Sequence, residues 1–123
     1  MDISNAEFEV LEVIWQGHPC SATDIIERLS EQTQWHEKTI KTLLNRLVKK
    51  GALGFEKQKR HYLYYPLIER EAYQHTQSKN LLEKLFEGRV SPLVASFASK
   101  GNLNKQDVDE LKALIDQWEK NND

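Results

Sequence analysis

The residues best equipped for chemistry lie between His36 and Arg60. That stretch holds eight Lys/Arg against two Asp/Glu, a balance of +6, while the rest of the chain holds nine against seventeen, a balance of −8. The net charge of −2 therefore hides one basic segment on an acidic chain, the form a local phosphate-binding surface takes. Lys38, Lys41, Arg46, Lys49 and Lys50 are suited to neutralising phosphates. Thr39, Thr42, Asn45 and Arg46 carry the short or forked groups that reach base edges in a major groove. Lys57, Lys59 and Arg60 form a second basic group, suited to flanking phosphates or a minor groove. Basic residues opposite an apolar stripe are often only a solvated helix face. The second basic group and the lopsided charge favour nucleic acid over that reading.

Other chemistries are poorly supplied. His18, His36, His61 and His75 show no HxxxH or HExxH spacing, and Cys20 is the only cysteine. A metal site needs ligands at helical or hairpin spacing, so no metal and no cofactor are expected. No Gly-rich phosphate loop, nucleophile elbow or catalytic triad is visible, so the chain does not read as an enzyme. Trp15, Trp35, Tyr62, Tyr64 and Tyr65 are candidates for stacking on bases. Aromatics in strands and helices more often pack into a core, and Trp35 is placed to staple the start of the helix that follows it.

These residues need elements to hold them. Ile40, Leu43, Leu44, Leu47 and Val48 recur at i, i+3, i+4, i+7 and i+8, a full amphipathic match. At 100° per residue the polar set Lys38, Thr39, Thr42, Asn45, Arg46 and Lys49 falls almost opposite. Gly51 follows and suits a left-handed cap. Upstream, Ser4 to Glu7 has capping-box spacing ahead of the apolar run Phe8 to Trp15, which Gly17 and Pro19 end. Ser21 to Asp24 restarts a helix bearing Ile25, Ile26 and Leu29, and residues 30–34 read as a turn. After Gly51 the period changes to alternation: residues 52–57 and 61–66 read as strands around a polar hairpin tip at 58–60. Helix, helix, helix, strand, strand is the order of a winged helix-turn-helix, with the basic helix as its recognition element.

Residues 70–86, 91–99 and a last helix capped by Asn104 read as helical. The fold is thus mostly α with a small β-hairpin wing: a DNA-binding domain over 1–68 and a helical dimerisation segment over 69–123. Leu81, Leu85, Leu93, Val94, Phe97, Leu111, Ile115 and Trp118 are the expected seam. So small a chain has little core of its own to cover them, whereas a two-fold partner supplies an equivalent surface. A composition of 39% hydrophobic and 29% charged residues is that of an ordinary folded protein. The apolar runs are too short to cross a bilayer, no signal peptide is recognised, and the lone cysteine fits a reducing cytoplasm.

The chain resembles the penicillinase-repressor family, which controls β-lactamase and methicillin-resistance genes and includes copper-responsive relatives. The resemblance rests on Ala6-Glu7-Phe8-Glu9-Val10 through Ile14-Trp15, on Trp35 through Gly51 with its Lys-Thr-Ile-Lys-Thr-Leu core, on Tyr64-Tyr65-Pro66-Leu67 and on Ser78-Lys79-Asn80. It implies a homodimer that binds an inverted repeat with TACA/TGTA half-sites in double-stranded DNA and blocks transcription. It further implies inactivation by a membrane sensor-protease pathway that cleaves the dimerisation part. The family's cleaved bond is Asn-Phe, and the corresponding pair here is Ser96-Phe97. The cysteine cluster of the copper-sensing branch is missing. Ser commonly caps the third helix in the family, where this chain has His36, a poorer cap able to offer a phosphate contact instead.

A homodimeric DNA-binding repressor is the function expected. Two alternatives stand beside it: a winged-helix protein-interaction module, and a small-molecule-sensing regulator with a pocket at the dimer interface.

Overall fold

Ser4 and Glu7 open the first helix, α1 (Asn5–Gln16), as their spacing predicts. In the computed structural model, which describes residues 1–122, Ser4 Oγ accepts from the Glu7 amide at 3.1 Å and Glu7 Oε1 from the Ser4 amide at 2.9 Å. No basic residue lies in the last turn of α1. Arg28 of α2 (Ala22–Ser30) supplies the missing cation, donating to the carbonyls of Gly17 at 2.9 Å and Val13 at 3.3 Å. A guanidinium there satisfies end carbonyls and complements the negative end of the helix dipole.

α3 (Glu37–Lys49) follows, and Gly51 just beyond it takes φ +82°, the left-handed region that glycine enters without strain. β2 (Leu53–Gln58) and β3 (His61–Pro66) then pair antiparallel, Leu53 opposite Pro66 through Gln58 opposite His61. A third strand was not expected from the sequence. β1 (Cys20–Ser21) pairs with β3 on its other side, giving the order β1-β3-β2.

The core gathers Val10, Leu11, Val13 and Ile14 of α1, Ile25 and Leu29 of α2, and Ile40, Leu43, Leu44 and Leu47 of α3, with Ala52 and Leu53 at the sheet. Burying each larger aliphatic contributes roughly 1.5–3 kcal/mol, so this stripe fixes which face of α3 turns outward. The element order is that of a winged helix-turn-helix.

α4 (Arg70–Phe86), α5 (Val90–Ser99) and α6 (Lys105–Asn121) complete the chain. Two compact units result, Met1–Gln74 and His75–Asp123, with Asp123, the end of the expected 69–123 segment, outside the described residues. The first unit runs past residue 68 because the start of α4 is tied into it. Arg70 Nε meets Glu12 at 2.9 Å, Tyr73 stacks on Phe8 with ring centres 5.6 Å apart, and Trp15 Nε1 donates to the Ile68 carbonyl at 3.0 Å. In the second unit, none of the described residues of α5 or α6 is buried, nor is any residue of α4. No helix among the described residues is long and apolar enough to cross a membrane.

Candidate nucleic-acid interface

α3 presents one buried and one open face along its whole length. Ile40, Leu43, Leu44 and Leu47 are buried, while Lys38, Thr39, Lys41, Thr42, Asn45, Arg46 and Lys49 are all exposed. His36 caps the helix: its Nδ1 accepts from the Lys38 amide at 3.1 Å. It thus fills the position that Ser or Asp usually takes, with the ring proton left on Nε2, facing away from the cap. Thr42 Oγ1 donates to the Lys38 carbonyl at 3.0 Å. Its hydroxyl therefore offers an acceptor and its methyl a contact, as a donating base edge and a thymine methyl require. Lys41 pairs with Glu37 at 3.1 Å, an exposed i,i+4 bridge that a phosphate competes with easily.

Lys50 differs from the other basic residues in having a buried partner. As the residue after the helix it turns its ammonium toward α1, donating to Glu7 Oε1 and to the Asp2 carbonyl, each at 2.6 Å. Glu7 is 2% exposed. Burial pushes its carboxyl up, but the bonds from Lys50 and Ser4 and the Lys50 charge outweigh that and hold it below its ordinary value. Lys50, expected to meet phosphate, is thus paired with a buried carboxylate while its side chain stays 36% exposed.

The wing stands beside α3. Lys57 is the one basic residue of β2, and Lys59 and Arg60 form the two-residue tip, Lys59 at φ +56°. All three are exposed. Between α3 and the wing lies a groove of about 360 Å³ lined by Asn45, Val48, Lys49, Phe55, Tyr62 and Tyr64. Trp15, Trp35 and Tyr64 pack against the core, as aromatics usually do, whereas Tyr62 remains 45% exposed. Cys20 is 1% exposed, and burial pushes its thiol above the ordinary value. Among the described residues no group of three or more His, Cys, Asp or Glu is placed to hold a metal ion.

The expected seam residues are left open in the second unit. Leu81, Leu85, Phe97, Ile115 and Trp118 are 45–64% exposed, and Leu93, Val94 and Leu111 only half-buried. Ser96 is exposed beside Phe97 within α5.

Residues 3–117 match the family model described as penicillinase repressor. The chain is 36% identical over 116 residues to the methicillin resistance regulatory protein MecI of Mammaliicoccus sciuri, covering 94% of each chain. It is 34% identical to the penicillinase repressor of Bacillus licheniformis, over 94% of this chain and 90% of that one. In structure it is similar to the monomeric form of Bacillus licheniformis BlaI in complex with the blaP half-operator, at a TM-score of 0.53 and 42% identity. That match covers 59% of this chain and 89% of the other. A family match over nearly the whole length, which takes in both the helix and the wing described above, places this chain in the penicillinase repressor family.

Proposed function

We propose that the chain is a homodimeric, DNA-binding transcriptional repressor, not an enzyme, and that it recognises an inverted repeat with TACA/TGTA half-sites. The observation that carries this reading is the open face of α3. Thr39, Thr42, Asn45 and Arg46 stand clear of the core between Lys38, Lys41 and Lys49, on the element that a winged helix inserts in a major groove. A relative whose solved form is a complex with a half-operator matches 59% of this chain at 42% identity. Lys57, Lys59 and Arg60 then hold flanking phosphates.

Two-fold symmetry comes from the second unit. With no described residue of α4, α5 or α6 buried, a single chain leaves its apolar stripes in water, and a second copy covers them. Inactivation by a membrane sensor-protease pathway at Ser96–Phe97 belongs to the same proposal. That bond lies inside α5, so cleavage there requires local opening of the helix.

Gel retardation tests the reading: a duplex carrying the TACA/TGTA repeat should be bound in preference to a scrambled duplex. Selection of neither would leave a protein-interaction module as the better account. Arg46→Ala should cost about 1–3 kcal/mol on the repeat and relax the preference at the base it reads. Equal losses on both duplexes would reduce Arg46 to a phosphate contact. Lys59→Ala or Arg60→Ala should weaken both duplexes alike and lower the salt slope by about one counterion. An unchanged slope in titrations from low to high salt would remove the wing tip from the interface.

A further inference from the structure

Phe55 and Tyr62 are the two aromatic side chains most open to solvent among the described residues of the first unit, at 46% and 45%. Their rings meet edge to face with centres 5.1 Å apart at 87°. The strand register explains their company. Phe55 lies opposite Tyr64 and Lys57 opposite Tyr62, so these four share one face of the wing, while Glu56, Gln58, His61 and Leu63 fall on the other. The aromatic face looks onto α3 across the groove that Asn45, Val48 and Lys49 complete. A cation stands on each side, Lys49 on the helix and Lys57 on the strand, and none of the groove-lining residues is acidic.

A nucleic-acid strand has the complementary pattern, anionic phosphates separated by largely apolar sugar rings. A helix in the major groove is walled by such a strand. Resting on the DNA-binding reading of α3, we propose that the groove seats one sugar–phosphate strand. The deoxyribose rings lie against Phe55 and Tyr62, and the flanking phosphates reach Lys49 and Lys57. The contact is non-ionic at its centre and independent of sequence. It sets how the helix is registered along the duplex rather than which bases it reads.

The test uses the full-length protein on the TACA/TGTA duplex and a scrambled one, with Phe55→Ser, Tyr62→Ser and the conservative Phe55→Tyr and Tyr62→Phe. Affinity is titrated against salt, thermal melting checks folding, and hydroxyl-radical footprinting reports which sugars are covered. The serine variants should bind both duplexes about tenfold more weakly with an unchanged salt slope, because apolar area and not charge is lost. The conservative variants should keep wild-type affinity, and sugar protection beside the half-site should vanish only in the serine variants. Serine variants that melt and bind like wild type would overturn the inference. So would wild-type complexes whose flanking sugars are unprotected, a result that needs no variant to fold. Wild-type protein that retards no duplex would overturn the DNA-binding reading itself, and this inference with it.

Discussion

Ile115→Asp is expected to convert a dimer into a monomer and to weaken operator binding by about a hundredfold or more, as the linkage between half-sites is lost. Leu111, Ile115 and Trp118 lie on one stripe of α6, whereas Asp109, Lys112, Asp116 and Glu119 lie off it. In the single chain Ile115 is 55% and Trp118 64% exposed. A carboxylate at position 115 therefore costs the isolated chain little, since water already surrounds it. In a two-fold seam the same carboxylate is desolvated without a partner, which is costly. The asymmetry separates a failed interface from a failed fold. Sedimentation equilibrium and operator affinity, measured on the same sample, check it. Truncation before Lys79 should likewise give a monomer, retaining weak, salt-sensitive binding to a half-site. An Ile115→Asp variant that stays dimeric and binds with wild-type affinity would show that α6 is not the seam.

Lys50→Met is the second large effect, and it acts on stability rather than on DNA. Breaking a buried ion pair typically costs about 3–5 kcal/mol. With Lys50 36% exposed, solvent replaces part of the loss, and about 2–3 kcal/mol is expected. The other Glu7 oxygen, Oε2, is buried with no hydrogen-bond partner among the described residues, so losing Lys50 leaves that carboxylate with little compensation. Because folding depresses the Glu7 carboxyl below its ordinary 4.5, the stabilisation is complete above that value and is lost as pH falls through the lower, folded one. Glu7→Gln should accordingly be less stable than wild type at neutral pH, with the gap narrowing as acidification protonates the Glu7 carboxylate of the wild type. Urea melts at several pH values would show it. A gap that stays constant or widens in acid would mean that Glu7 and Lys50 do not act as an ion pair.

The recognition helix was legible because five apolar residues in strict helical phase leave only one way to bury it. Its polar face follows from geometry. The wing was legible too, since alternation and a polar tip mark a hairpin without help from distant residues. β1 was not: two residues carry no period, and Cys20 and Ser21 become a strand only because β3 lies alongside to pair with them. The pairing of Lys50 with Glu7 was not legible because a helical projection sees only its own segment. The partner is 43 positions away in sequence. A signal for that partner did exist, for Glu7 stands in phase with Val10, Leu11 and Ile14 on the buried stripe of α1. A carboxylate there needs a cation from somewhere. The first unit reaches further into α4 than residue 68 for a similar reason. Tyr73 and Arg70 look like ordinary helix residues until Phe8 and Glu12 are brought beside them.

The single cysteine gives the molecule an internal clock. The Cys20 thiol is enclosed in the first unit, held protonated by burial, and paired through its backbone to Tyr64. An alkylating or disulfide reagent reaches it only when β1 parts from β3 or the whole unit opens. Its labelling rate therefore measures the opening of the helix-and-wing unit alone. The second unit contains no cysteine to contribute. Comparing that rate with and without the TACA/TGTA duplex, or across a range of protein concentrations, separates events in the two halves of one small protein without any added probe.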